Sequence, residues 1–185
     1  MTPFNPRPRP CKHCGEPFAP VRPMQSVCSP RCAAQKVKAD KAQERAQIRT
    51  RKEAIKTIPE LLREAQVAFN AWIRERDKGM RCISCNARPP DLSGLHAGRD
   101  AGHYRSVGSA SHLRFNEDNV HAQCVECNQW KAGNAVNYRA ELISRIGPER
   151  VEALERANEP HKWTHDELRA IRDTYRKKLK EMKKC

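Results

Sequence analysis

Cys82-Ile-Ser-Cys85, Asp100-Ala-Gly-His103, Asn119-Val-His121 and Cys124-Val-Glu-Cys127-Asn128 follow one another in the middle of the chain. The two CxxC pairs supply four thiolates, the donor type and number that close a tetrahedral zinc site. Each pair folds as a short knuckle, and the 38 residues between the pairs are more than a minimal zinc ribbon needs. That insert carries His, Asn and Asp, residue types that move protons or hold hard cations. Taken alone, the cysteines fit a plain zinc fold without activity equally well.

Working outward, the composition is that of a small-cored, polyanion-binding protein. The chain has 185 residues, 38% apolar and 5% aromatic, a poor supply for one large core, which metal sites would offset. Lys and Arg number 36 against 22 Asp and Glu, a formal charge of +14, which points to nucleic acid as partner. Met1 to Pro10 has no apolar signal core, and no segment approaches a membrane span. A cytosolic, nucleoid-associated location and no membrane partner are therefore expected. In a reducing cytosol eight of the nine cysteines, set in close pairs, read as metal ligands rather than disulfides. Cys185 is left over, and His96 and His112 are given no role.

Four segments follow. Residues 1–32 are Pro-rich and carry Cys11, Cys14, Cys28 and Cys32, spaced CxxC, thirteen residues, CxxxC. They are expected to form a second zinc site of ribbon or treble-clef type, either a DNA or partner contact or a folding staple. Residues 33–58 have eight basic and three acidic side chains and no Gly, Pro or aromatic, a solvated basic helical linker. Residues 59–147 begin with a helix over Glu60 to Lys78, with Pro59 at its first position and Gly79 at its stop. Its apolar positions Leu61, Leu62, Ala65, Ala68, Phe69, Trp72 and Ile73 recur at helical spacing. A helix starting near Asn128 and further helices over about Val136 to Ile146 and Glu149 to Ala157 are expected. In residues 148–185, Thr164-His-Asp-Glu167 is a capping box for a final helix with a basic end. The fold class is thus α+β, mostly helical, with a small zinc-stapled core, flanking helices and an N-terminal zinc module.

The central run resembles the HNH, or ββα-metal, nucleases, and is most similar to the phage endonuclease VII type, which also carries Asn directly after its last zinc cysteine. The resemblance implies His103 as the general base, Asn119 as the Asn that fixes the hairpin and orients the His, and Asn128 as a ligand of a catalytic Mg2+ or Mn2+. Many members have an acidic or His ligand just before the base, where this chain has Gly102. Asp100 is the nearest carboxylate and the best substitute, and could also be a surface turn residue; His121 is the other candidate ligand, or a histidine packed beside the knuckle. Phe69-Asn-Ala-Trp-Ile-Arg-Glu-Arg-Asp77, Asp100-Ala-Gly-His-Tyr-Arg105, Leu113-Arg-Phe-Asn-Glu117, Gln123-Cys-Val-Glu-Cys-Asn128 and Glu141-Leu-Ile-Ser-Arg-Ile-Gly147 are similar to the NinG (Rap) recombination proteins of lambdoid phages. That similarity implies a structure-specific endonuclease cutting Holliday junctions and D-loops. A less selective HNH nicking nuclease and a non-catalytic zinc DNA-binding accessory protein remain as alternatives.

Lys131, Arg105 and Arg114 are the candidate phosphate contacts near the centre, and the basic helices the candidate phosphate-tracking arms. Symmetric junction cleavage would need two active sites, so a homodimer is expected, with the Glu60–Lys78 helix or the terminal helix as interface.

Overall fold

The computed structural model describes residues 7–88 and 99–184, so His96 and Cys185 lie outside the described residues. The chain is mixed α+β, mostly helical, and divides into two compact units, Met1–Lys56 and Thr57–Cys185.

In the first unit β1 (Arg9–Pro10) and β2 (Pro17–Phe18) pair antiparallel and hold Cys11 at the mouth of their turn. Helix α1 (Pro30–Ala54) starts at Ser29, whose hydroxyl accepts from the Cys32 N–H at 3.2 Å, with Pro30 at the first position. That cap places Cys32 inside the first turn, so the helix begins three residues before Ala33. No side chain of α1 is buried.

In the second unit α2 (Ile58–Arg76) begins from Thr57, whose N–H and hydroxyl donate to the Glu60 carboxylate at 2.8 and 2.7 Å. This capping box sets the start two residues before Glu60, and Pro59 becomes the second helical residue. Leu61, Ala65, Phe69 and Ile73 bury the inner face completely or nearly so. They pack on α5 (His165–Met182), where Tyr175 meets the Phe69 ring edge-on at 4.7 Å. Each such large side chain contributes about 1.5–3 kcal/mol by leaving water. The apolar faces of α2 and α5 therefore cover one another.

Strands β3 (Asp100–His103) and β4 (Val120–Gln123) form an antiparallel hairpin pairing Asp100 with Gln123, Gly102 with His121 and His103 with Val120. The end of α2 clamps it: Asp77 accepts from the Ala122 N–H at 2.7 Å, and Arg76 donates to the Val120 carbonyl at 2.8 Å. Helices α3 (Ala135–Ile146) and α4 (Pro148–Arg156) supply a second small core with Ile83, Leu113, Tyr138, Leu142 and Val151. No regular helix starts at Asn128. Glu126–Trp130 form one wide turn closed by the Lys131 N–H on the Glu126 carbonyl, and positive φ at Ala132, Gly133 and Asn134 resets the chain before α3.

Candidate metal centre

The two cysteine quartets are built alike. The first cysteine of each, Cys11 or Cys82, accepts through its carbonyl from a residue four positions on, Gly15 or Asn86, both at positive φ. Its sulfur then accepts from the backbone N–H of a cysteine in the second pair, Cys28 at 3.4 Å or Cys124 at 3.3 Å. Within each quartet all four sulfurs lie within 4.8 Å of one another. The Cys85–Cys124 and Cys14–Cys28 sulfurs are both 3.7 Å apart, near the about 3.8 Å edge of a tetrahedron with 2.3 Å Zn–S bonds, and too far for a disulfide. Both quartets fit zinc, and His13 belongs to neither group. Burial works to raise the Cys82 thiol, but N–H groups of Cys124, Cys85 and Ser84 outweigh it and bring it down to about 7.

The central quartet fixes both ends of the β3–β4 hairpin insert. At its near end Asp100 Oδ2 accepts from Asn128 Nδ2 at 2.8 Å and from Gln129 Nε2 at 2.9 Å. Asp100 is thus a bound carboxylate at the wide turn rather than a free surface group. Asp100 Oδ1 and Asn128 Oδ1 have no hydrogen-bond partner among the described residues, and two such oxygens suit a hard divalent cation. Gln129, which the sequence reading passed over, sits one residue past Asn128 and was findable from that position. Trp130 was also passed over, and is 80% exposed beside this pair in sequence.

Asn119 is fully buried and ties the loop after β3 to the start of β4. Its Oδ1 accepts from the Arg105 N–H at 2.8 Å, while Nδ2 donates to the carbonyls of Arg105 and Leu113 at 3.0 and 3.2 Å. His103 Nε2 lies 3.0 Å from the Arg114 carbonyl. A carbonyl only accepts, so Nε2 carries the proton and Nδ1 keeps the lone pair when the ring is neutral. Burial lowers the His103 pKa, and the Arg114 cation adds to this, against the Arg114 and Ala101 carbonyls. Strand alternation puts Asp100, Gly102, His121 and Gln123 on one face of the hairpin and His103 with Val120 and Ala122 on the other. Among the described residues no hydrogen bond joins His103 to the Asp100–Asn128 pair.

Gly102 has a packing reason. A Cβ there would fall 2.1 Å from Gln123 Oε1 and 2.8 Å from Gln123 Cβ, so neither a carboxylate nor a histidine fits before His103. Gln123 is fully buried and donates through Nε2 to Ser84 Oγ and the Gly133 carbonyl at 2.7 and 2.6 Å. His121 is buried; its Nδ1 lies 3.3 Å from Tyr138 Oη, which donates to the Gly102 carbonyl at 2.9 Å. Burial, with the Arg76 cation, lowers its pKa to about 4, so it stays neutral. Only its Nε2 is left to serve as a ligand.

The basic candidates divide. Arg105 donates to the Leu154, Glu155 and Ala157 carbonyls and to Asn158 Oδ1, so its guanidinium closes the carboxyl end of α4. Arg114 donates to Gln66 Oε1 at 3.1 Å, and its pKa is lowered by burial. Lys131 is exposed and pairs with Glu126 at 2.7 Å. His112 Nε2 donates to the Ala157 carbonyl at 2.9 Å, a structural contact.

No solved structure matches the chain. The profile of the family described as Bacteriophage Lambda NinG protein matches residues 4–185. The chain is 42% identical over 196 residues to protein ninG of Escherichia phage lambda, covering 95% of this chain and 93% of that protein. It is 40% identical to protein ninG of Salmonella phage P22 over 95% of this chain and 94% of that one. With the match running through both cysteine quartets and the hairpin set within the second, this chain belongs to the bacteriophage lambda NinG family.

Proposed function

We propose that the protein is a metal-dependent, structure-specific DNA endonuclease of HNH type that cuts branched recombination intermediates such as Holliday junctions and D-loops, acting as a homodimer in the host cytosol. The observation that carries this reading is the Asp100–Asn128 pair, held at 2.8 Å between a thiolate-stapled hairpin and the turn that follows it. Asp100 Oδ1 and Asn128 Oδ1 would hold Mg2+ or Mn2+, which supplies charge to offset that building on the phosphate and leaving oxygen. His103 Nδ1 takes a proton from water, the hydroxide oxygen bonds to phosphorus, and the bond to the leaving 3′ oxygen breaks. The Arg114 carbonyl holds the ring in the tautomer this requires. Asn119 fixes the loop from which that carbonyl projects.

A non-catalytic DNA-binding role is favoured by one observation, the placement of His103 and Asp100 on opposite faces of the hairpin. Along the strand their Cα atoms are about 10 Å apart, with the side chains projecting to opposite sides. The deciding assay compares a four-way junction with a linear duplex of the same sequence, with and without Mg2+ at constant zinc. Mg2+-dependent junction cutting that is lost in His103→Ala, with binding kept, supports the enzyme reading. Equal behaviour of both proteins would end it, and equal cutting of both DNAs would leave only a less selective nicking nuclease.

A further inference from the structure

Helix α1 runs for 25 residues without one buried side chain, so packing does not account for its sequence. Its charges are sorted by face. At 100° per residue Arg31, Lys38, Lys41, Arg45, Arg49 and Lys52 fall within about 80° of one another. All six are exposed, and none has an ion-pair partner among the described residues. Asp40 lies on the far side and pairs with Lys36, while Glu44 lies about 60° beyond Lys41 and Glu53, about 40° beyond Arg49, pairs with Lys56. Lys41, Arg45 and Arg49 succeed one another at i,i+4, a like-charge spacing that disfavours the helix until an anion lies over it. Solubility alone would be served by interspersed signs.

The length also fits one partner. From Arg31 to Lys52 the helix rises about 31 Å, against roughly 34 Å for one turn of B-form DNA. We propose that this stripe of α1 is a duplex-DNA tracking arm, which follows the phosphates over about one helical turn without reading bases. Its choice of partner rests on the DNA reading above, but it needs no cleavage chemistry. Each cation laid on a phosphate releases a counterion, so the arm has a salt signature.

The test uses the full zinc-loaded chain and two linear duplexes of unrelated sequence, without Mg2+ or chelator, with anisotropy measured across a salt series. Arg45→Gln/Arg49→Gln on the stripe is compared with Lys36→Gln/Arg51→Gln off it, an equal change of charge. The stripe pair should flatten the slope of log K against log salt by about 1.8 on both sequences, and the other pair by less than about 0.5. Helix content by circular dichroism should match wild type in both. Equal slope changes, or none from the stripe pair, overturn the arm; so does a stripe effect confined to one sequence, or to an RNA duplex offered in parallel. A wild type that binds with this stripe-dependent slope yet cuts no junction sinks the nuclease reading and leaves the arm standing. Junction cutting with a slope untouched by the stripe pair does the reverse.

Discussion

Gln123 Oε1 occupies the space that a Cβ on Gly102 would need, 2.1 Å away across the hairpin. The two residues are diagonal neighbours on one face, and the amide that fills the gap also ties Ser84 and Gly133 to the strand. Gly102→Ala should destabilise the protein by about 1–3 kcal/mol through overpacking. Gln123→Ala should cost about as much by orphaning its partners. The double variant should be less damaged than the sum, since the clash is gone. Additive denaturant midpoints would show that the contact does not matter.

Arg105 is assigned to the scaffold, and this can be separated from DNA contact. Arg105→Ala removes donors from three carbonyls at the end of α4 and from Asn158. The expected loss is about 2–3 kcal/mol of stability, with the salt slope of DNA binding unchanged. A stable variant with a flatter slope would return Arg105 to the phosphate contacts.

The two quartets should be separable by unit. Wild type should bind two zinc ions, and Cys11→Ser or Cys82→Ser one each. Cys82→Ser should unfold the Thr57–Cys185 unit and abolish its cooperative transition, while Cys11→Ser should leave that transition in place. Metal analysis with calorimetry reads both. One ion in wild type, or loss of the large transition in Cys11→Ser, contradicts this.

Histidine burial sets a pH window. The folded His121 pKa is near 4, against about 6.5 in the unfolded chain. Below pH 6.5 the unfolded chain takes up the proton first. Stability is therefore full above that pH and is lost progressively down to about pH 4, by on the order of 3 kcal/mol. The lowered pKa of His103 acts in the same direction. His121→Gln, compared at saturating zinc, should flatten the decline; an unchanged pH profile would be inconsistent with a buried neutral His121. For the proposed base, the rate limb set by His103 should lie below pH 6.5, because lowering its pKa keeps Nδ1 unprotonated into mild acid.

What the sequence disclosed followed range. Thr164 and Glu167 announce the start of α5 within four residues, and the Thr164 N–H does meet Glu167 at 2.8 Å. The cysteine spacings announce both quartets because each knuckle is local. Asn128 was reached through the family resemblance and Asp100 as the nearest carboxylate to the base, while their 2.8 Å contact spans 28 residues and leaves no local mark. The bonds of Arg105 were hidden because the carbonyls it serves lie about fifty residues downstream and leave no mark near it. The role of Gly102 was equally hidden, since only the cross-strand register shows what stands over it.

The knuckle at Cys82–Cys85 is joined to Cys124–Cys127 through 38 intervening residues. Bringing such distant ends together costs an unfolded chain about 3 kcal/mol of entropy before any strand can pair. Zinc held by the four converging sulfurs would offset that cost. The hairpin register, the Asn119 tie and the Asp100 pairing all lie inside the loop that those sulfurs close, so metal capture would shorten the search for each of them.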